Sequence, residues 1–168
     1  AKNFCDKFIF GSYVDKEKIL EFVKEVDIIT YEFENIPFKT LNEINKFKNV
    51  LPKPSVNRLI QHRLAEKDFI NNINIRTTRY ASIEKKSDME TLKDFFPGIL
   101  KTTTMGYDGK GQYPINNLND FKKLNLNLTD GYILEKLVKL KKEISVIITR
   151  FGENDYSIYE PIENTHEN

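Results

Sequence analysis

Three glycines fall within the six residues Gly106-Tyr107-Asp108-Gly109-Lys110-Gly111, which follow the apolar run Ile99-Leu100 and its terminal Lys101. A backbone so poor in Cβ atoms is free to take φ > 0 and to aim several N–H groups at one object. The chain therefore has to leave a strand at Lys101 and enter a loop that suits a polyphosphate, with an ordinary glycine-rich hairpin as the alternative. A lysine at that strand end can lay its ammonium along phosphate oxygens; otherwise it is a solvated strand terminus. Asp108 would repel phosphates held by the loop, which makes it a candidate for contacting a second substrate or orienting the attacking group.

The 168 residues suffice for one substantial core or for two small lobes sharing a hinge. With 39% hydrophobic and 30% charged residues the composition is that of a soluble globular protein, and no apolar run approaches the ~20 residues of a membrane span. Charges interrupt the opening Ala-Lys-Asn-Phe-Cys-Asp-Lys, so it is no signal peptide and a cytoplasmic setting is expected. A formal charge of +1 offers no large field to nucleic acid or anionic lipid. Cys5 is the sole cysteine, which excludes an internal disulfide and a cysteine-based metal site. His62 and His166 stand far apart without clustered carboxylates, and a zinc site is rejected. The chain opens on a strand-like Lys7-Phe8-Ile9-Phe10 and closes directly after a strand, so both ends are expected to be truncated.

Apolar spacing predicts a helix over 15–26 with Asp15 as N-cap, then a buried strand over 27–33. A helix begins near Pro37, a short strand covers Val50-Leu51-Pro52, and one long helix runs from Pro54 to about Asn71. This alternation is α/β. After about residue 75 short strands are predicted at 78–83, 99–103, 132–135, 142–151 and 156–160, with helical segments near 88–96 and 118–124. That second region is α+β, with the long helix as hinge between the two.

Other side chains have two readings each. Arg63 on the hinge helix is able to grip phosphate bidentately, or to pair with Glu66 on an exposed face. The segment Ile133-Leu134-Glu135-Lys136-Leu137-Val138 can hold adenine through backbone N–H and C=O groups, and Glu143 can accept from ribose hydroxyls. Each glutamate taken singly also fits a solvated surface. The lysines at 136, 139, 141 and 142 fit a wet strand face.

The segments Asp27-Ile28-Ile29-Thr30-Tyr31-Glu32-Phe33-Glu34-Asn35-Ile36, Gln61-His62-Arg63 with Glu66-Lys67, Leu100-Lys101, the glycine loop through Gln112, Glu135-Lys136, Lys142-Glu143-Ile144-Ser145-Val146 and Glu163-Asn164-Thr165-His166 occur in this order. In that order the chain resembles the 5-(carboxyamino)imidazole ribonucleotide synthetase family of ATP-grasp enzymes, once called the ATPase subunit of phosphoribosylaminoimidazole carboxylase. The resemblance covers essentially the whole chain. It implies the end of a Rossmann-like pre-ATP-grasp domain over residues 1–57, followed by the first, flap-bearing part of an ATP-grasp domain over 58–168. The implied reaction is ATP- and Mg²⁺-dependent carboxylation of aminoimidazole ribonucleotide with bicarbonate through carboxyphosphate, in purine synthesis. Such phosphoryl transfer asks mainly for positioning and charge neutralisation.

Carried over by position, Arg63 and Lys101 bind ATP phosphates, and Gly106, Tyr107, Asp108, Gly109, Lys110, Gly111 and Gln112 form a flap over them. Glu135, Lys136, Leu137 and Val138 hold adenine, Glu143 the ribose, and His166 is a further nucleotide contact. Asp108 and Lys110 are the implied catalytic residues, with Tyr107 and Glu34 toward the ribonucleotide. The family's opening strand with its Gly-Gly-Gly-Gln-Leu-Gly turn has no counterpart here, nor have its magnesium ligands, which lie in a C-terminal lobe. The chain alone is therefore expected to be inactive or nearly so, as a truncated or decayed copy or one piece of a split enzyme; the expected partner is a complementary fragment or, as in the family, a second copy in a homodimer. The alternatives are a non-catalytic nucleotide-binding remnant and another ATP-grasp carboxylase, biotin-dependent or formate-using. A nucleic-acid-binding module would need a basic, aromatic-bearing face that the near-neutral charge does not provide.

Overall fold

The computed structural model describes residues 2–106 and 111–165. It divides into two compact units, Ala1–Leu137 and Val138–Asn168.

In the first unit the leading residues form a short 3₁₀ turn over Lys2–Phe4, and Lys7-Phe8-Ile9-Phe10 joins no ladder, contrary to its strand-like sequence. Helix α1 (Lys16–Lys24) starts as expected: the Asp15 side chain accepts from the N–H groups of Glu17 and Lys18, satisfying two of the donors a first turn leaves open. Strand β1 (Ile28–Thr30) pairs in parallel with β2 (Asn49–Leu51), and α2 (Phe38–Ile44) lies between them in sequence. Val23, Ile29, Ile36, Leu41, Ile44 and Val50 close a first core, each such side chain contributing roughly 1.5–3 kcal/mol on burial.

The expected single helix from Pro54 is two helices, α3 (Pro54–Ile60) and α4 (Arg63–Asn72). The break has a physical cause. His62 takes an extended conformation (φ −126°, ψ 102°), and the Arg63 N–H leaves the helical ladder to donate to the Thr103 carbonyl at 2.9 Å. His62 Nδ1 then caps the new helix by accepting from the Ala65 N–H at 3.4 Å.

Beyond α4 a four-stranded antiparallel sheet forms from β3 (Tyr80–Ile83), β4 (Gly98–Thr102), β5 (Gln112–Ile115) and β6 (Tyr132–Lys136), in spatial order β3-β6-β4-β5. One face carries Ile83, Leu100, Ile115, Tyr132 and Leu134 into a second core. Met89 of α5 (Asp88–Thr91), Phe95 of the 3₁₀ turn Lys93–Phe95 and Phe121 of α6 (Leu118–Lys123) complete it. Because side chains alternate along a strand, Tyr80, Lys101, Ile133 and Glu135 fall on the opposite face. That is the face under α4.

The second unit contains two antiparallel pairs. Strand β7 (Glu143–Ser145) pairs with β10 (Ile162–Asn164), and β8 (Ile148–Arg150) with β9 (Tyr156–Ile158). The continuous strand expected over 142–151 is thus divided between two ladders. Among the described residues no helix is long and apolar enough to cross a membrane.

Candidate nucleotide site

The register of β4 and β6 sets Ile99 opposite Glu135 and Lys101 opposite Ile133, so Lys101 and Glu135 share a face and meet diagonally. Lys101 Nζ lies 2.9 Å from Glu135 Oε2, and Lys67 Nζ, reaching in from α4, lies 3.3 Å from Oε1. These side chains are 20%, 10% and 15% exposed in the order Lys101, Glu135, Lys67. The solvated-surface readings of Lys101 and Glu135 therefore fail. Lys67 also stands 5.6 Å over the Tyr80 ring, whose hydroxyl donates to Asp68 Oδ1 at 2.6 Å and accepts from Asn71 Nδ2 at 3.1 Å.

Arg63 does not take the exposed-face reading. Rather than pairing with Glu66, its guanidinium donates from Nη1 to the Thr102 carbonyl at 2.7 Å and from Nη2 to the Gly106 carbonyl at 2.8 Å. Arg63 thus ties the start of α4 to the strand end after Lys101 and to the first glycine of the loop. A Cβ on Gly106 would stand 2.6 Å from Nη2, so a side chain there would have to push the guanidinium tip aside. Met105 just before it holds φ 58°, a left-handed conformation that costs a non-glycine residue energy and marks the loop entrance as strained. At the far side Gly111 has φ +69°, and its carbonyl accepts from the Thr102 N–H, fastening the loop's far end to β4.

A pocket of ≈ 200 Å³ opens beside this tie, lined by Glu34, Asn35, Gln61, Arg63, Glu66 and Gly106 among others. Glu34 is held through its backbone, its carbonyl accepting from Asn57 Nδ2 at 2.9 Å and Gln61 Nε2 at 2.7 Å. Burial first, and then the Glu34 charge, push the Glu66 carboxyl above its usual value, against the pull of Lys67 and Arg63.

The structure brings Lys101 and Glu135 together, ties Arg63 to Gly106, and sets Glu34 on the adjoining pocket. Gly111 and Gln112 lead into β5, with Gln112 in register with Lys101. Of the segment expected to hold adenine, the Lys136 N–H donates to the Arg79 carbonyl and the Leu137 N–H to that of Pro97, while Lys136 Nζ reaches the Asp94 carbonyl. In the second unit Val138 is exposed, and Glu143 accepts from Asn164 Nδ2 at 3.1 Å while the same amide donates to Ser145 Oγ at 2.8 Å. Tyr107, Asp108, Gly109, Lys110 and His166 lie outside the described residues. Sequence reasoning gave no role to Lys67, although its spacing of four from Arg63 places both on one helix face. Among the described residues no three His, Cys, Asp or Glu side chains come together to hold a metal ion.

The ribonucleotide synthetase preATP-grasp domain matches residues 1–61, and the ATP-grasp domain matches residues 68–168. The chain belongs to the ATP-grasp family. This ATP-grasp chain is 34% identical over 167 residues to the N5-carboxyaminoimidazole ribonucleotide synthase of Staphylococcus aureus (strain COL), covering 96% of itself and 44% of that relative. It is 34% identical over 154 residues to the bifunctional purine synthesis protein purC/E of Dictyostelium discoideum, covering 88% of itself and 15% of that protein. The crystal structure of N5-carboxyaminoimidazole synthetase from Staphylococcus aureus complexed with ADP superposes with a TM-score of 0.90 at 30% identity, over 99% of this chain and 45% of that one. The N5-carboxyaminoimidazole ribonucleotide synthetase from Thermus thermophilus gives 0.82 at 25% identity, over 94% and 43%. The chain thus spans less than half the length of these relatives.

Proposed function

We propose that this chain supplies ATP-binding elements of a carbon–nitrogen ligase that carboxylates 5-aminoimidazole ribonucleotide with bicarbonate, in de novo purine synthesis. The observation that carries the reading is the placing of Arg63 on the first glycine of the loop while Lys101, at the strand end before it, shares one buried carboxylate with Lys67. Arg63, Lys67 and Lys101 gather beside the loop, where a polyphosphate could draw on cations now held by carbonyls and by Glu135. The likeness to a synthetase complexed with ADP supports the same ligand. Residues 1–57 and 58–168 serve in this reading as the end of the pre-ATP-grasp domain and the beginning of the ATP-grasp domain.

In the proposed reaction a bicarbonate oxygen attacks the γ-phosphorus of ATP, the bond to ADP breaks, and carboxyphosphate forms. The exocyclic amine of the ribonucleotide then takes the carboxyl carbon, and phosphate and a proton leave. Arg63 and Lys101 hold the phosphates, Asp108 and Lys110 of the flap face the amine, and Glu34 and Tyr107 contact the ribonucleotide. Glu135, Lys136, Leu137 and Val138 take adenine, Glu143 the ribose, and His166 a further nucleotide contact. Magnesium would neutralise charge on ATP; among the described residues no three His, Cys, Asp or Glu side chains come together to hold it.

The test is ADP release with each component omitted in turn, beside direct measurement of ATP binding. The expected result is ATP binding by the chain, little or no ADP release by the chain alone, and, once a complementary fragment is added, release that requires both bicarbonate and the aminoimidazole ribonucleotide. Release that follows biotin or glycinamide ribonucleotide instead would overturn the substrate assignment, and absence of ATP binding would overturn the site.

A further inference from the structure

Glu135 serves two ammoniums, Lys101 on Oε2 at 2.9 Å and Lys67 on Oε1 at 3.3 Å, and none of the three side chains is more than 20% exposed. The triad carries a net charge of +1, less screened than the same charge on a wet surface. Lys67 is itself fixed from two sides. It sits on α4 one turn beyond Arg63, and the Tyr80 ring beneath it is anchored through its hydroxyl to Asp68 and Asn71. With Lys67 removed, Glu135 would face Lys101 alone, both carboxylate oxygens could turn to one ammonium, and the pair would be neutral.

We propose that Lys67 is a positioning residue for nucleoside polyphosphates: it holds Glu135 by Oε1, so that Lys101 keeps its positive charge directed at the phosphates. The inference rests on the ATP-site reading above. It assigns Lys67 an effect that grows with phosphate charge and passes through Glu135, without a contact of Lys67 to the base.

The experiment measures ATP, ADP and adenosine affinity calorimetrically on the full chain and on Lys67→Met, Lys67→Arg, Glu135→Gln and the Lys67→Met/Glu135→Gln double variant. Lys67→Met is expected to weaken ATP about tenfold and ADP less, and to leave adenosine unchanged. Lys67→Arg should restore ATP affinity to within about threefold, and Lys67→Met should add nothing once Glu135 is Gln. Unchanged ATP affinity in Lys67→Met overturns the inference, as does equal weakening of adenosine, or a full Lys67→Met effect in the Glu135→Gln background. If the unsubstituted chain binds no ATP, the ATP-site reading falls and this inference with it; ATP binding indifferent to Lys67→Met removes the inference alone.

Discussion

Arg63 Nη2 donates to the Gly106 carbonyl at 2.8 Å across 43 residues of chain, and a Cβ on Gly106 would come within 2.6 Å of that nitrogen. Gly106→Ala therefore has to displace the guanidinium. The tip of an arginine moves easily, so the cost in stability is expected to stay near 1–2 kcal/mol, about the worth of the hydrogen bonds released to water. The consequence for the site is larger, because the guanidinium leaves both carbonyls that aim it. ATP affinity is expected to fall about tenfold in Gly106→Ala. Calorimetric titration beside a urea melt checks both, and unchanged ATP affinity would show that the Arg63–Gly106 tie does not serve the site.

Glu66 carries a carboxyl raised above its usual 4.5 by burial first and by Glu34 second. The sign follows from linkage. Between the unfolded value near 4.5 and the higher folded value the native state binds more protons than the unfolded state, so stability falls as pH rises through that window and is level above it. Glu66→Gln removes the ionisable group and its penalty. The variant should match the parent protein below about pH 4.5 and exceed it in stability at about pH 7. Urea midpoints at about pH 4 and about pH 7 test this, and a variant less stable than the parent at the higher pH would contradict it.

Local chemistry made part of this molecule readable from sequence. Asp15 caps α1 because a cap needs only a carboxylate and the next few N–H groups. Strand β5 was hidden by Pro114, which lacks a ladder donor and argues against a strand; it is tolerated because β5 is the sheet's edge, a fact of topology. The break between α3 and α4 was equally hidden, since the apolar spacing runs through it and the partner that opens it, the Thr103 carbonyl, is 40 residues away. The glycine loop and Lys101 drew the phosphate reading from local sequence, whereas the burial of Glu135 depends on which ladder face it occupies. Register decided that, and with it the ion pair of Glu135 with Lys67.

The cap at the break offers a gain in stability. His62 Nδ1 accepts from the Ala65 N–H at 3.4 Å, at the long end of hydrogen-bond range. Serine at the same extended position presents a hydroxyl suited to N–H groups of the first turn. His62→Ser is expected to raise stability by about 0.5–1 kcal/mol. A rise in the urea midpoint at constant m-value is the measurement; a fall would mean that the imidazole supports the break through more than its cap.

Glu135 is the counter-ion of the site, and its loss should be costly in proportion to its burial. Glu135→Ala leaves the ammoniums of Lys67 and Lys101 side by side at 15% and 20% exposure with no carboxylate between them. Removing one member of a buried ionic group costs about 3–5 kcal/mol in folded stability, because the remaining charges stay desolvated and here repel each other. The loss should be largest without ligand and should shrink when inorganic tripolyphosphate is added, since an anion between the two lysines replaces the missing carboxylate. Urea denaturation of Glu135→Ala with and without tripolyphosphate measures the difference. A destabilisation under about 1 kcal/mol, or one that tripolyphosphate leaves untouched, would show that the two lysines do not depend on Glu135 for their charge balance.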